Sequence, residues 1–441
     1  LNVDLIVASS IFIIFISAML FYLFGFQKQG PSWQSLIELR KEASDLANEI
    51  ISKGNPSDWN KENVIPSKIG LASSAYLIPI LISDNSGYNR INEPIAQEIV
   101  FDNDCKNLAW NGTVRIFDEN FNEVPFRFVN QTFCPSGFLQ KAILFFEVNV
   151  SANSTRKFQI FFYNSTQVNP RDYGNFSSLV MWLTFDEGLG NIAYDYSGNE
   201  NNGTLYNGSS ICSNPPTPGC PTWVDGKSGK ALSFDGTNDY ISVPYSSSLY
   251  IPSELTLIAW IYPINPSGGW QTILAHSPAP NQYNYWIYIE SNTLKASVYS
   301  DTYPDIAIPN AISKANVWYH IALTASKGST VRLYVNGSLV GTGNAKTNFW
   351  TGGYITIADL RPGRGILFNG TIDDVRIYNR ALTDEEILSH YQQPLTIKIF
   401  PRREVSLISF EKLEALRNIS YYLLKDALQK GYNFRVEIYE K

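Results

Sequence analysis

The sequence predicts a mainly β protein that begins with one long α-helix. Three observations carry this reading. From Leu5 to Gln27 the chain has no charged side chain over 23 residues; as a helix that run rises ~35 Å, enough to cross a bilayer core. Beyond residue 84, short runs of β-branched and aromatic residues alternate with polar turns, as in Thr113–Phe117 and Ala142–Val148. Finally, 26 Tyr, 25 Phe and 10 Trp accompany many Asn, Ser, Thr and Gly, which suits a β-rich, surface-exposed protein.

The apolar run comes first. Its leading flank, Leu1-Asn2-Val3-Asp4, holds no Lys or Arg, although apolar anchors normally carry basic residues on the cytoplasmic side. A short basic leader is therefore expected to have been cut off before Leu1. A secretory signal would have lost its apolar stretch on cleavage; this run is kept. In this it resembles the type IV pilin family, including archaeal pilins. The resemblance implies a membrane-inserted precursor whose helix later packs against copies of itself, with Leu5, Ile13, Phe15, Met19 and Phe21 in a filament core. Bacterial pilins favour Glu at the fifth mature position, where this chain has Leu5, and Asp4 is the nearest carboxylate. An ordinary single-span anchor stays open as the alternative.

Gly30-Pro31 punctuates the run, and Leu36, Leu39, Ala43, Leu46 and Ile50 continue at helical spacing. Gly54 and Pro56 stop that helix. The turn Gly54-Asn55-Pro56-Ser57-Asp58-Trp59 and the later Ile69-Gly70-Leu71 resemble a stretch of archaeal pilin-like proteins, which close with a helix and a strand. Leu413, Leu416, Tyr421 and Leu424 fit such a helix; Asn433–Tyr439 alternates as the strand. Residues 1–50 are thus read as the helix, and 51–84 with 393–441 as a small host domain split by an insertion. Two unrelated linkers remain the simpler alternative.

The first inserted part, 85–176, has regular short strands and is expected to be a β-sandwich. The second, 177–392, reads Leu179-Val180-Met181-Trp182-Leu183, then Asp195-Tyr196-Ser197-Gly198-Asn199, Leu232-Ser233-Phe234-Asp235-Gly236, Trp318-Tyr319-His320, Leu333-Tyr334-Val335-Asn336-Gly337 and Ile372-Asp373-Asp374-Val375. This order of blocks resembles the laminin-G-like, concanavalin-A-like domain, which implies a jelly roll of two antiparallel sheets. The whole fold is expected as a pilin-like helix plus a β-sandwich and this jelly roll. Asn336-Gly337 between two alternating runs signals a type I′ hairpin.

Net charge is −6 with no basic stripe, so nucleic acid is not an expected partner. Eleven Asn-x-Ser/Thr sites are candidate glycosylation points if the segment is exported: Asn111, Asn130, Asn149, Asn153, Asn164, Asn175, Asn202, Asn207, Asn336, Asn369 and Asn418. The cysteines Cys105, Cys134, Cys212 and Cys220 form no C-x-x-C. Local pairing gives Cys105–Cys134 and Cys212–Cys220; four free thiols are the alternative.

Catalytic patterns are missing: there is no E-x-D-x-x-E run, H-E-x-x-H, P-loop or G-x-S-x-G. Asp186-Glu187 are adjacent, and Asp384-Glu385-Glu386 read as the first turn of a short helix. No enzyme activity is expected. Calcium is the one cofactor considered. Asp195, Ser197 and Asn199 offer oxygens at alternating positions, Asp373 or Asp374 adds carboxylate from the last strand, and the laminin-G-like resemblance implies a structural calcium nearby. The competing reading is a turn rich in Asx hydrogen bonds. Trp270, Tyr283, Tyr285, Tyr299 and Tyr303 are aromatic candidates for a sugar. The function expected is a self-assembling filament subunit, extracellular and membrane-inserted before assembly, that displays a glycan-binding or cell-surface-binding domain. The alternatives are an anchored adhesin that does not polymerise and a glycan-processing enzyme.

Overall fold

A computed structural model describes residues 72–408, apart from 121, 165, 167, 168, 172, 175, 176, 214–217, 281, 303, 393 and 394. The described chain folds as two β-sandwiches. Among the described residues the architecture is nearly all β, which corrects the expected mixture with a long α-helix. The α-helix among the described residues is Asp384–Tyr391, eight residues long, and no described helix is long and apolar enough to cross a membrane. From Ala72 onward, alternating β-branched and aromatic residues impose a period of two, so strands win. Residues 1–50, with Leu5, Ile13, Phe15, Met19 and Phe21, lie outside the described residues, as do 51–71 and 409–441.

In the first sandwich, Ala72–Ser83 lies between Thr155–Phe162 and the returning C-terminal strands. Its residues 80–83 pair with Thr396–Ile399, and 72–77 pair with Arg403–Ile408. Residues 72–83 and 396–408 therefore share one six-stranded sheet with strands of the 85–176 segment. A three-stranded sheet of Arg90–Val100, Leu139–Val150 and Phe126–Phe133 covers it. Ile80, Ile82, Leu144, Phe146, Ile160 and Phe162 fill the space between. Cys105 and Cys134 form a disulfide beside it.

The second sandwich packs an eight-stranded sheet on a nine-stranded one. Glu254–Pro263 and Asn369–Tyr378 are central in the first; Gln271–His276 and Tyr283–Glu290 are central in the second. Leu257, Ile261, Leu323 and Ile377 face Leu274, Ile287, Val298 and Ile357 across the core. The hairpin at Asn336-Gly337 has both residues at positive φ, 52° and 75°, as a type I′ turn requires. Cys212 and Cys220 close the loop rich in Pro and Gly as a disulfide.

The two sandwiches meet over the outer face of the eight-stranded sheet. Trp182, Ile258, Ala322 and Tyr334 on that face pack with Leu382 and Ile387 of the helix segment and with Phe145 of the first sandwich. A buried polar network reinforces the seam. Arg90 pairs with Asp84 at 3.0 Å and donates to the Ser389 carbonyl. Ser389 Oγ donates to Glu93 at 2.9 Å. Arg376 donates to His390 Nδ1 at 2.9 Å, so His390 Nε2 carries the proton and faces the Tyr378 hydroxyl at 3.1 Å. This outer face is covered, and accessible rings lie instead at an end of the nine-stranded sheet.

Candidate ligand-binding rim

The nine-stranded sheet carries a buried cross-strand row in which Ser242, Thr356 and Ser297 flank Ala275 and Trp286. Ser242 pairs with Thr356, Thr356 with Ala275, Ala275 with Trp286, and Trp286 with Ser297. Trp286 stacks on Tyr288 with centroids 3.9 Å apart and donates from Nε1 to Thr272 Oγ1 at 3.0 Å. Both rings are buried, packed with Leu360 and Ile366 of the loop that crosses this face. They are core.

Accessible rings gather at one end of the sheet. There the ends of Asp239–Pro244 and Gln271–His276 meet the starts of Tyr283–Glu290 and Tyr354–Ile357. Tyr250 is 53 % exposed and Tyr354 is 50 % exposed. Phe349, half-buried, meets Tyr250 edge to face at 5.2 Å.

Two buried side chains hold the loop that runs from Phe349 to Tyr354. Asn284 Oδ1 accepts the Trp350 N–H at 2.9 Å, and Asn284 Nδ2 donates to the Trp350 carbonyl at 2.6 Å. The second Nδ2 hydrogen goes to His276 Nδ1 at 3.0 Å, so His276 Nε2 carries the proton and donates to the Gly352 carbonyl at 2.8 Å. Tyr245 stacks on the imidazole. Burial pushes the His276 pKa down to about 4 despite the Gly352 bond, so the ring is neutral at pH 7. Every hydrogen-bonding position of the Asn284 amide nitrogen is used, and the loop is fixed before any ligand arrives.

The aromatic residues named from sequence divide sharply. Tyr283, Tyr285 and Tyr299 are buried, which corrects their reading as sugar contacts; alternation put them on packed strand faces. Trp270 is 37 % exposed, but it precedes the strand Gln271–His276 at the end opposite the rim, and Tyr303 lies outside the described residues. The residues missed were Tyr250, Phe349, Tyr354, His276 and Asn284. Asn284 left a trace, being a lone amide inside the aromatic run Tyr283–Tyr288.

The calcium candidates are engaged with protein donors. Asp195 Oδ1 accepts from the Trp182 and Ser197 N–H groups at 2.8 and 2.9 Å; Oδ2 accepts from Asn201 N and Ser197 Oγ, both at 2.9 Å. Asn199 Oδ1 accepts from Arg127 at 3.2 Å. Asp373 Oδ2 accepts from Lys227 N and Ser228 N at 2.8 and 3.2 Å; a Cβ at Gly226 would sit 2.6 Å from it, so this turn needs glycine. Burial and then the Asp374 carboxylate push the Asp373 pKa up to about 8. Asp374 pairs with Arg376 at 2.9 Å and accepts from Trp182 Nε1. No three metal-ligating side chains come together among the described residues. The oxygens named here are thus engaged by protein donors.

Residues 235–388 match the family model described as the Concanavalin A-like lectin/glucanases superfamily. A laminin-G-like domain is thus supported in this chain. Three solved structures are similar at low identity. Domain 4 of an extracellular arabinanase from Geobacillus stearothermophilus, in complex with arabinotriose, is 22 % identical, covering 49 % of this chain and 99 % of that one at a TM-score of 0.37. The binding domain of Paraclostridial Mosquitocidal Protein 1 is 20 % identical over 48 % of this chain, with a TM-score of 0.38. A Trypanosoma rangeli sialidase is 17 % identical over 48 % of this chain, with a TM-score of 0.38. The match spans 52 % of the mosquitocidal domain and 33 % of the sialidase. No curated protein matches. Within the laminin-G-like domain, the rim combines exposed rings with a preset loop, and its carboxylates Asp195, Asp373 and Asp374 are tied down elsewhere.

Proposed function

We propose that this chain is an exported protein whose laminin-G-like domain binds a glycan at the rim of Tyr250, Phe349 and Tyr354. One observation carries the reading: two half-exposed tyrosines, Tyr250 on a loop and Tyr354 at the start of a strand, stand near the buried His276–Asn284 pair. Exposed rings offer flat apolar faces to the C–H face of a sugar, and loop amides and carbonyls meet its hydroxyls. A fixed loop loses little entropy on binding. The lectin part of the family description agrees with this, and the two disulfides agree with an extracellular location. The role proposed is binding, with no catalytic step.

The finer role is that of a subunit of a type IV pilus-like filament. It rests on the uncharged run Leu5–Gln27. Electron microscopy of sheared cell-surface material, with mass spectrometry of the filaments, tests it; filaments lacking this chain would remove it. The binding role is tested by a glycan array probed with the full chain. A set of related glycans retained above background supports the role, and no retention at any glycan removes it.

A further inference from the structure

A cavity lies on the first sandwich, where that sandwich approaches the laminin-G-like domain at Gly198. Its volume is about 370 Å³, at the low end for ligand pockets, ~300–1,000 Å³. Phe126, Phe128 and Tyr173 supply rings, Arg127 a guanidinium, and Gln131 and Asn111 two amides. The Arg127 guanidinium also bonds Asn199 Oδ1 and the Gly174 carbonyl, which closes the far side. Rings beside amides and a guanidinium suit a saccharide.

One wall residue, Asn111, heads the sequence Asn111-Gly112-Thr113. Its Nδ2 donates to Gln131 Oε1 at 3.3 Å. Thr113 is buried, with Oγ1 within 2.7 Å of both the Trp110 and Tyr163 carbonyls. A transferase cannot reach that threonine in the folded state, so any sugar must be attached before Tyr163 closes over it. The other sites differ. Asn130, Asn149, Asn153 and Asn164 are exposed. Asn202, Asn207 and Asn336 lend Oδ1 to Asp195 N, Asn238 Nδ2 and His320 N.

We propose that this cavity is a saccharide site, occupied by the first sugars of a glycan carried on Asn111. The attachment takes an oligosaccharide from a lipid-phosphate donor. The Nδ2–C1 bond forms as the donor's C1–O bond breaks, and the phosphate leaves with the electron pair. The amide gives one proton to the transferase base and keeps the other for Gln131. The inference rests on the export reading above.

The test is the full chain made in a eukaryotic secretory host and treated with a peptide N-glycosidase before and after denaturation. Peptide mass spectrometry then reads conversion of each sequon asparagine to aspartate. The expected result is release from Asn130 in both states, and from Asn111 at least tenfold more slowly in the native state. An unmodified Asn111 beside a modified Asn130, or equal native release at both, overturns the proposal and leaves export standing. No glycan at any sequon overturns both. Binding of added N-acetylglucosamine oligomers by Asn111→Gln, abolished by a further Phe128→Ala, would assign the cavity to a free saccharide and overturn the tethered one.

Discussion

Asn284 clamps the Trp350 peptide from both sides, accepting its N–H at 2.9 Å and donating to its carbonyl at 2.6 Å. The two residues are 66 positions apart, so this contact exists only once the sheet has formed. It links a core strand to the loop that presents Phe349 and Tyr354. Replacing Asn284 with Leu removes both bonds and leaves His276 Nδ1 without its donor. The cost expected is about 2–3 kcal/mol, from buried polar groups left unpaired. Thermal unfolding measures the cost, and glycan affinity should fall with it.

The seam between the sandwiches makes a second prediction. Replacing Arg90 with Met leaves Asp84 and Glu93 as buried carboxylates without their cation. Breaking one partner of a buried pair costs ~3–5 kcal/mol. Denaturant unfolding should show that loss, and limited proteolysis should cut faster between the sandwiches. A variant as stable as the parent would mean that the apolar contact of Phe145 with Trp182 and Tyr334 carries the seam alone.

His276 sets a pH dependence whose sign is fixed. Its folded pKa is about 4 against 6.5 in an ordinary environment. Between those values the unfolded chain binds more protons, so stability is full above about 6.5 and is lost as pH falls towards 4. The loss is on the order of 3 kcal/mol. The stability difference between the parent and His276→Gln should therefore shrink across that window. A difference that stays constant from pH 7 to pH 4 would contradict the buried, neutral ring.

The disulfides should contribute according to loop length. Cys105–Cys134 spans 29 residues and Cys212–Cys220 spans 8. Chain entropy gives roughly 3–4 kcal/mol for the longer loop and roughly 2–3 for the shorter. Paired Cys→Ala variants, compared by denaturant unfolding, check the order.

The full oxygen shell of Asp195 predicts coincident melting curves in calcium and in chelator. A rise in melting temperature with calcium would require a site built from other oxygens.

Much of the fold was legible because period-two alternation and turn chemistry are local signals. The Asn336-Gly337 hairpin was read in place, and the cysteine pairs followed from spacing. The capping box of the short helix was legible in part: the acidic first turn after Thr383 was read from composition, and Thr383 and Glu386 exchange hydrogen bonds there. The site was less legible. Aromatic residues on a strand look alike whether they face the core or solvent, so Tyr285 and Tyr299 were misplaced while Tyr250 and Tyr354 were passed over. Asp195-Tyr196-Ser197-Gly198-Asn199 looks the same as a cation loop or as an Asx turn until its donors, Trp182 and Asn201, are in place. Arg90 and Ser389 are 299 positions apart, and no local pattern could pair them. The long helix expected at the N-terminus falls outside the described residues, and the regular structure of the described residues is almost all strand.

The rim is tested most directly by glycan binding of the full chain, the double variant Tyr250→Ala/Tyr354→Ala and the control Trp270→Ala, all with matching melting temperatures. The account predicts that the double variant loses at least tenfold in affinity while Trp270→Ala binds as the parent does. Unchanged binding by the double variant, or loss confined to Trp270→Ala, would contradict it.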